Sequence, residues 1–180
     1  MSMNPDRPTA DEYAPFYAGY VVLANDALVG DGTLIAQIER QRAMMHALLA
    51  PCSGEQLLFR PTPADWNIRQ VLGHITDGEQ VFAYRALRIA RGDTTPLAGF
   101  EQDDYVAAAC SDTRSIPDLL DAYDAQRRAS VALLRSFDTA TWLRRGTASS
   151  ATISVRALGY IIAGHELYHL ADFKARYHLG

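Results

Sequence analysis

The strongest constraint in this sequence is a spacing of apolar residues at three and four positions, repeated in four separate stretches. Between Thr33 and Leu49 the apolar positions are Leu34, Ile35, Ile38, Met45, Leu48 and Leu49. That spacing lays one apolar stripe along a helix. Ala50-Pro51 ends it, and Ser53-Gly54 makes the turn. A second helix opens at Asn67, with Gln70 three residues on as in a capping box. Its apolar face runs through Ile68, Val71, Leu72, Ile75, Phe82, Leu87 and Ile89 to Gly92-Asp93. A third begins at Ser115, where Asp118 predicts a second capping box and Pro117 is harmless in the first turn. Leu119, Leu120, Tyr123, Val131, Leu134 and Phe137 form its apolar side. The fourth starts after Ser154 and carries Leu158, Ile161, Ile162, His165, Tyr168, His169 and Phe173. Nowhere do Val, Ile and Thr alternate over a useful length, so the expected class is all-α.

Four helices of roughly 17 to 22 residues span about 25–33 Å each, and such matched lengths favour a four-helix bundle. The short first and third connections predict antiparallel neighbours. The long link Gly92–Arg114 permits a crossover and holds Pro96, Gly99 and the acidic Glu101, Asp103 and Asp104. A short helix is expected within it at Tyr105–Cys110. Ahead of the bundle, Tyr13, Phe16, Tyr17 and Tyr20 crowd one stretch. Residues 1–30 are read as an extension packing on a bundle domain of residues 31–180. Its rings either pack on the bundle or line a pocket mouth or a dimer contact.

Composition removes several classes of function. The chain has 180 residues, 17 Lys and Arg against 21 Asp and Glu, and a net charge of −4. An acidic balance offers no broad footprint for phosphate backbones, so no nucleic-acid partner is expected. Two cysteines, Cys52 and Cys110, are too few for a disulfide framework. The N-terminus has no apolar signal core and no run is long enough to span a membrane, so a cytoplasmic location is expected.

The histidines carry the chemistry. His165 and His169 lie four residues apart on one helix, which stacks their rings within about 40° of each other. Leu158, Ile161 and Ile162 share that side, so the pair is expected to face the core. A shared metal ion would satisfy both rings; two separately bonded histidines are the plain alternative. The segment also spells His165-Glu166-Leu167-Tyr168-His169, the H-E-x-x-H of zinc proteases. Asp172 and Ala175 stand where the longer protease motif needs Gly and His, and too little chain follows for another ligand helix. The third ligand therefore lies upstream. His74, mid-helix among apolar residues, is the strongest candidate; His46 reads as a helix-surface or core-edge residue and His178 as part of a fraying end. Three neutral imidazoles leave open positions on an ion, as catalytic sites do. Zinc suits them best, and nickel and iron(II) also accept imidazole.

Three stretches together resemble the DinB-like family, also called the DinB/YfiT-like metalloenzymes: Trp66-Asn-Ile-Arg-Gln-Val-Leu-Gly-His74, Phe82 through Asp93, and Gly164-His-Glu-Leu-Tyr-His169. The resemblance covers roughly residues 30 to 175. It implies a bundle in up-down-down-up order, a divalent metal on His74, His165 and His169, and a homodimer. It also implies thiol-dependent transfer or hydrolysis on a small molecule, with a low-molecular-weight thiol as a candidate substrate. Many relatives carry Gln where this chain has Asp172.

On this reading the ion holds a substrate thiol as thiolate or lowers the pKa of a bound water. Asp172, one turn past His169, and Glu166, rotated about 100° from His165, are the candidate catalytic carboxylates. Gln70 and Asp77 flank His74 and are open to a supporting or a merely solvated role. Arg85, Arg88 and Arg91 either hold the long link by salt bridges or bind an anionic substrate. A non-catalytic, metal-binding stress-response dimer is the rival class.

Overall fold

The computed structural model describes residues 4–28 and 32–180. The boundary expected between residues 30 and 31 lies outside them. Eight helices occur among the described residues: α1 (Ala18–Asp26), α2 (Leu34–Leu49), α3 (Gly54–Leu58), α4 (Ile68–Ala90), α5 (Gln102–Ala109), α6 (Ile116–Arg135), α7 (Thr139–Trp142) and α8 (Val155–Ala175). Strands β1 (Arg145–Ala148) and β2 (Ala151–Ser154) form one antiparallel hairpin. Among the described residues no helix is long and apolar enough to cross a membrane.

The four long helices start where their caps predict. Thr33, Asn67, Ser115 and Ser154 each accept a hydrogen bond from the backbone N–H three residues on. Asn67 and Gln70 close the full capping box. At Ser115 the box stays open, because the Asp118 carboxylate turns to Arg114 at 2.7 Å instead. The linker helix comes three residues earlier than Tyr105, opening on the acidic Asp103 and Asp104, which favour a helix N-terminus.

Contacts between helices give their order and direction. α2 packs on α6 and α8, and α4 packs on the same two. Leu34 meets Gly159 and Gln41 donates to the Ala163 carbonyl at 3.0 Å, so α2 and α8 run parallel. Arg42 pairs with Asp124 at 2.6 Å while Glu39 pairs with Arg135 at 2.8 Å, so α2 and α6 run antiparallel. His74 lies beside His169 and Gly78 beside His165, so α4 opposes α8. The bundle is therefore up-down-down-up, with α4 and α6 parallel neighbours. Short connections did not make neighbours here: α2 and α4 face each other across the bundle, as do α6 and α8. The first connection crosses by way of α3, and the third by way of α7 and the hairpin. The long link joins parallel neighbours and so must travel back the length of the bundle.

The hairpin is the element the sequence concealed. Its two-residue turn is Ser149-Ser150, with φ of 50° and 62°. Such a turn ordinarily uses Asn or Gly, which tolerate this left-handed backbone, so the usual signal is missing. The hairpin edge then stitches down the long link: Leu97 donates to the Thr147 carbonyl at 2.9 Å and accepts from the Ser149 N–H at 3.0 Å.

α1 is part of the core. Val21 and Ala24 are fully buried, and the helix lies against α8. Backbone meets backbone at Gly164, where a methyl group would overlap the Tyr20 carbonyl. Asn4 accepts from the Leu34 N–H at 2.7 Å, and the buried Glu12 pairs with Arg156 of α8. The C-terminus is also tied down, with Leu179 buried and its N–H bonded to the Phe173 carbonyl at 3.0 Å, against the expectation of fraying near His178. Gly164→Ala should lower stability by about 1–3 kcal/mol in urea unfolding, as overpacking does. Gly19→Ala, with open space at its Cβ, should stay within about 0.5 kcal/mol of wild type.

Candidate metal centre

The apolar interior is split in two. One cluster gathers around Leu34, Ile38, Phe82, Trp142 and Ile161, the other around Met45, Leu72, Ile75, Leu119 and Phe173. Buried polar side chains lie in the bundle as well: Gln41, His74, Glu79, Arg127, His165, Glu166 and His169.

The three histidines of the sequence reading converge there. His165 Nε2 lies 3.0 Å from His74 Nε2 and 3.2 Å from His169 Nε2. All three ligand atoms fall within 4.8 Å of one another. Glycines make the convergence possible. At Gly78 a Cβ would sit 3.1 Å from the His165 ring, and at Gly73 it would overlap the Ser111 hydroxyl that packs on α4. Aromatic rings brace the imidazoles: Trp66 stands 4.8 Å from His74 and Tyr20 is edge-on to His165 at 5.3 Å.

Burial drives all three imidazoles toward the neutral form. His74 falls to about 4 and His169 to about 3, in each case chiefly by desolvation. His165 lies well below its usual value, by burial and then by its two histidine neighbours. Three neutral rings thus crowd three Nε2 atoms together, although one N–H on His165 can serve only one neighbour. His169 Nδ1 is buried without a partner. In a tetrahedral site with metal–nitrogen bonds of about 2.0–2.1 Å, ligand nitrogens sit about 3.3 Å apart. The donor set and its spacing therefore fit a divalent ion.

The two candidate carboxylates part company. Glu166 points away from the histidines: its carboxylate accepts from the Tyr123 hydroxyl and from Arg127. Arg127 also pairs with Glu79 at 2.7 Å. Burial raises both acids, Glu166 to about 7. Asp172 lines the same cavity as His169, and 3.6 Å separates it from Arg176; no hydrogen bond joins it to His169. Gln70 is spent on its cap, and Asp77 is half-buried away from the three rings. His46 sits at the bundle edge on Asp124 at 2.9 Å, as expected of a background histidine.

Two cavities flank the centre and share Tyr20, His74 and Gln102 as walls. One, of about 340 Å³, is polar, with Asp65, Asp103, Asp172 and Arg176. The other, of about 390 Å³, is lined by Phe16, Tyr17, Phe82 and Phe100. Tyr20 and Gln102 were not singled out from the sequence as site residues. The only signal was the run of rings at Tyr13–Tyr20, for which a pocket mouth was one of the readings.

A four-helix bundle whose buried layer brings three neutral histidines together defines a recognisable class. The chain belongs to the DinB superfamily, whose sequence model matches residues 37–173. Among solved structures it resembles YfiT from Bacillus subtilis, with a TM-score of 0.72, 17% identity and 89% of each chain covered. That protein is described as a probable metal-dependent hydrolase with an unusual four-helix bundle topology. At this identity the likeness is one of fold. No curated protein matches the chain in sequence.

Two outcomes follow from the electrostatics. Between about pH 6.5 and 4 the unfolded chain binds protons that the folded histidines refuse, so metal-free protein should lose stability on acidification. His169→Asn should flatten that dependence by about 1.4 kcal/mol per pH unit, read from melts across pH; an unchanged slope would mean a charged His169 in the fold. Arg127→Met should cost about 3–5 kcal/mol in urea unfolding, because it strands Glu79 and Glu166. Glu166→Gln should cost less, its carboxyl already holding protons near neutrality.

Proposed function

We propose that the protein is a metal-dependent enzyme acting on a small molecule, with His74, His165 and His169 holding one divalent ion. The convergence of three neutral Nε2 atoms on one point, at the junction of two cavities, carries this reading. Zinc is the first choice for three nitrogen donors, with nickel and iron(II) as the alternatives. An ion in this position supplies Lewis acidity, enough to bring a thiol or water into its nucleophilic form near neutral pH. Thiol transfer and hydrolysis are both served by that chemistry, and the description of YfiT supports the hydrolytic branch.

The chain's own groups supply the rest. Trp66 and Tyr20 hold the His74 and His165 rings in place and keep bulk water off their faces. In this reading Asp172 is the group that accepts and returns a proton, since it shares the cavity with His169 and burial raises its proton affinity. Glu166 anchors α8 through Arg127 and Tyr123. Residues 1–30 act as an extension that completes the pocket of the 31–180 bundle by supplying Tyr20. The unpaired Cys52 and Cys110 accord with a reducing, cytoplasmic setting, and a homodimer is part of the same proposal.

Elemental analysis of the purified protein should find about one divalent ion per chain. His74→Ala should lose it while keeping its helical circular dichroism. A chain that neither carries nor takes up an ion after stripping and reloading would end the proposal. A panel of low-molecular-weight thiols, with electrophilic acceptors or hydrolysable esters, then separates transfer from hydrolysis.

A further inference from the structure

Two arginines are almost wholly buried, and they are partnered very differently. Arg127, 1% exposed, lies between two carboxylates. Arg85, 2% exposed, has no carboxylate within salt-bridge distance among the described residues. Its Nη2 donates to the Ala98 carbonyl at 2.8 Å and to Ser149 Oγ at 3.0 Å, and its Nη1 reaches the Tyr17 hydroxyl at 3.5 Å. All three partners are neutral. A buried cation with only neutral partners is costly, and a counter-ion relieves that cost.

Arg85 forms part of the wall of a cavity of about 540 Å³. Arg88 also lines it but is already paired with Asp93, so Arg85 is the unneutralised cation of the wall, and no acidic residue among those described lines the cavity. The rest of the lining is largely apolar, with the rings of Tyr84, Phe100 and Tyr105. Phe100 stacks 5.8 Å from the Arg85 guanidinium and also lines the aromatic cavity beside His165. Three remote segments converge on this one guanidinium: the N-terminal stretch, the long link and the hairpin turn. The last holds Ser149 in a left-handed conformation to present its hydroxyl.

We propose that this cavity binds the oxyanion end, carboxylate or phosphate, of an elongated ligand whose flat body lies against Phe100. With both Nη2 protons given to Ala98 and Ser149, the Arg85 guanidinium keeps its full charge and its Nε–H and second Nη1–H for such a group. Arg85 and His74 are eleven residues apart on α4, about 16 Å along the axis at roughly 1.5 Å per residue. A ligand of that length places its far end at the histidines. That the far end is what reacts rests on the reading of the three histidines as a reaction centre; the anion site itself does not.

The test uses the full chain as purified, with metal content measured in parallel. The probes are 3-phenylpropionate, phenyl phosphate and the uncharged 3-phenylpropanamide, titrated by calorimetry. Wild type should bind at least one anionic probe about tenfold or more tightly than the amide, the scale of one charge-assisted hydrogen bond. Which anion wins tells a carboxylate ligand from a phosphate one. Arg85→Gln should bring the anion and the amide within about twofold of each other. Should that variant fail to fold, Arg85→Lys keeps the charge without the guanidinium's remaining N–H groups and their fixed directions, and should lose about threefold or more of the preference. His169→Asn should retain the preference. Equal binding of amide and anions by wild type overturns the site. So does a preference that survives Arg85→Gln, or an unchanged one in Arg85→Lys, or one that disappears in His169→Asn. Absence of metal from the preparation would count against the reaction centre while leaving the Arg85 result readable.

Discussion

One side chain touches all four long helices. Arg127 on α6 donates to the Ile38 carbonyl of α2 at 3.3 Å, pairs with Glu79 of α4 and pairs with Glu166 of α8. A guanidinium taken out of water must find several acceptors or the fold pays heavily for it. Here each acceptor comes from a different helix, so the requirement fixes the rotation of α8 about its axis. With Glu166 turned to Arg127, His165 and His169 are turned toward α4 and His74. The geometry of the candidate centre is in this sense a consequence of a buried ion pair on its far side.

The same layer explains the small residues around it. Helices that bring three imidazole nitrogens within 4.8 Å of one another must approach closely, and glycine permits that where a Cβ would collide. Gly73 admits Ser111, Gly78 admits the His165 ring and Gly164 admits the backbone of α1. The last contact brings Tyr20 to the histidines from a segment that precedes the region matched by the family model. The site therefore draws on the N-terminal helix, the long link and the hairpin turn as well as on the bundle.

Much of this was legible as pattern. Period and caps located the four long helices to within a residue or so, because each start is written in a local side chain such as Asn67 or Ser154. The spacing of His165 and His169 on a largely apolar helix pointed to an inward pair, and His74 was the one other histidine deep in an apolar face. The Ser149-Ser150 hairpin was not legible, since its turn lacks the residues such a backbone prefers. Helix adjacency also misled: short connections usually join neighbours, yet here α3, α7 and the hairpin carry the chain across the bundle.

By itself the sequence determined the helices, their caps and the four-residue spacing of His165 and His169, since those depend on residues within one or two turns of each other; the arrival of His74 from α4 was decided by packing. Tertiary structure alone decided the fate of the charged groups. Glu166 and Asp172 stand one and three residues from a histidine and look alike on paper; packing buried the first on Arg127 and left the second at the cavity wall. Arg85, Arg88 and Arg91 form one row on a helix, yet only Arg85 is buried without a carboxylate. A charge is settled by which other segments arrive beside it, and that information is spread over the whole fold.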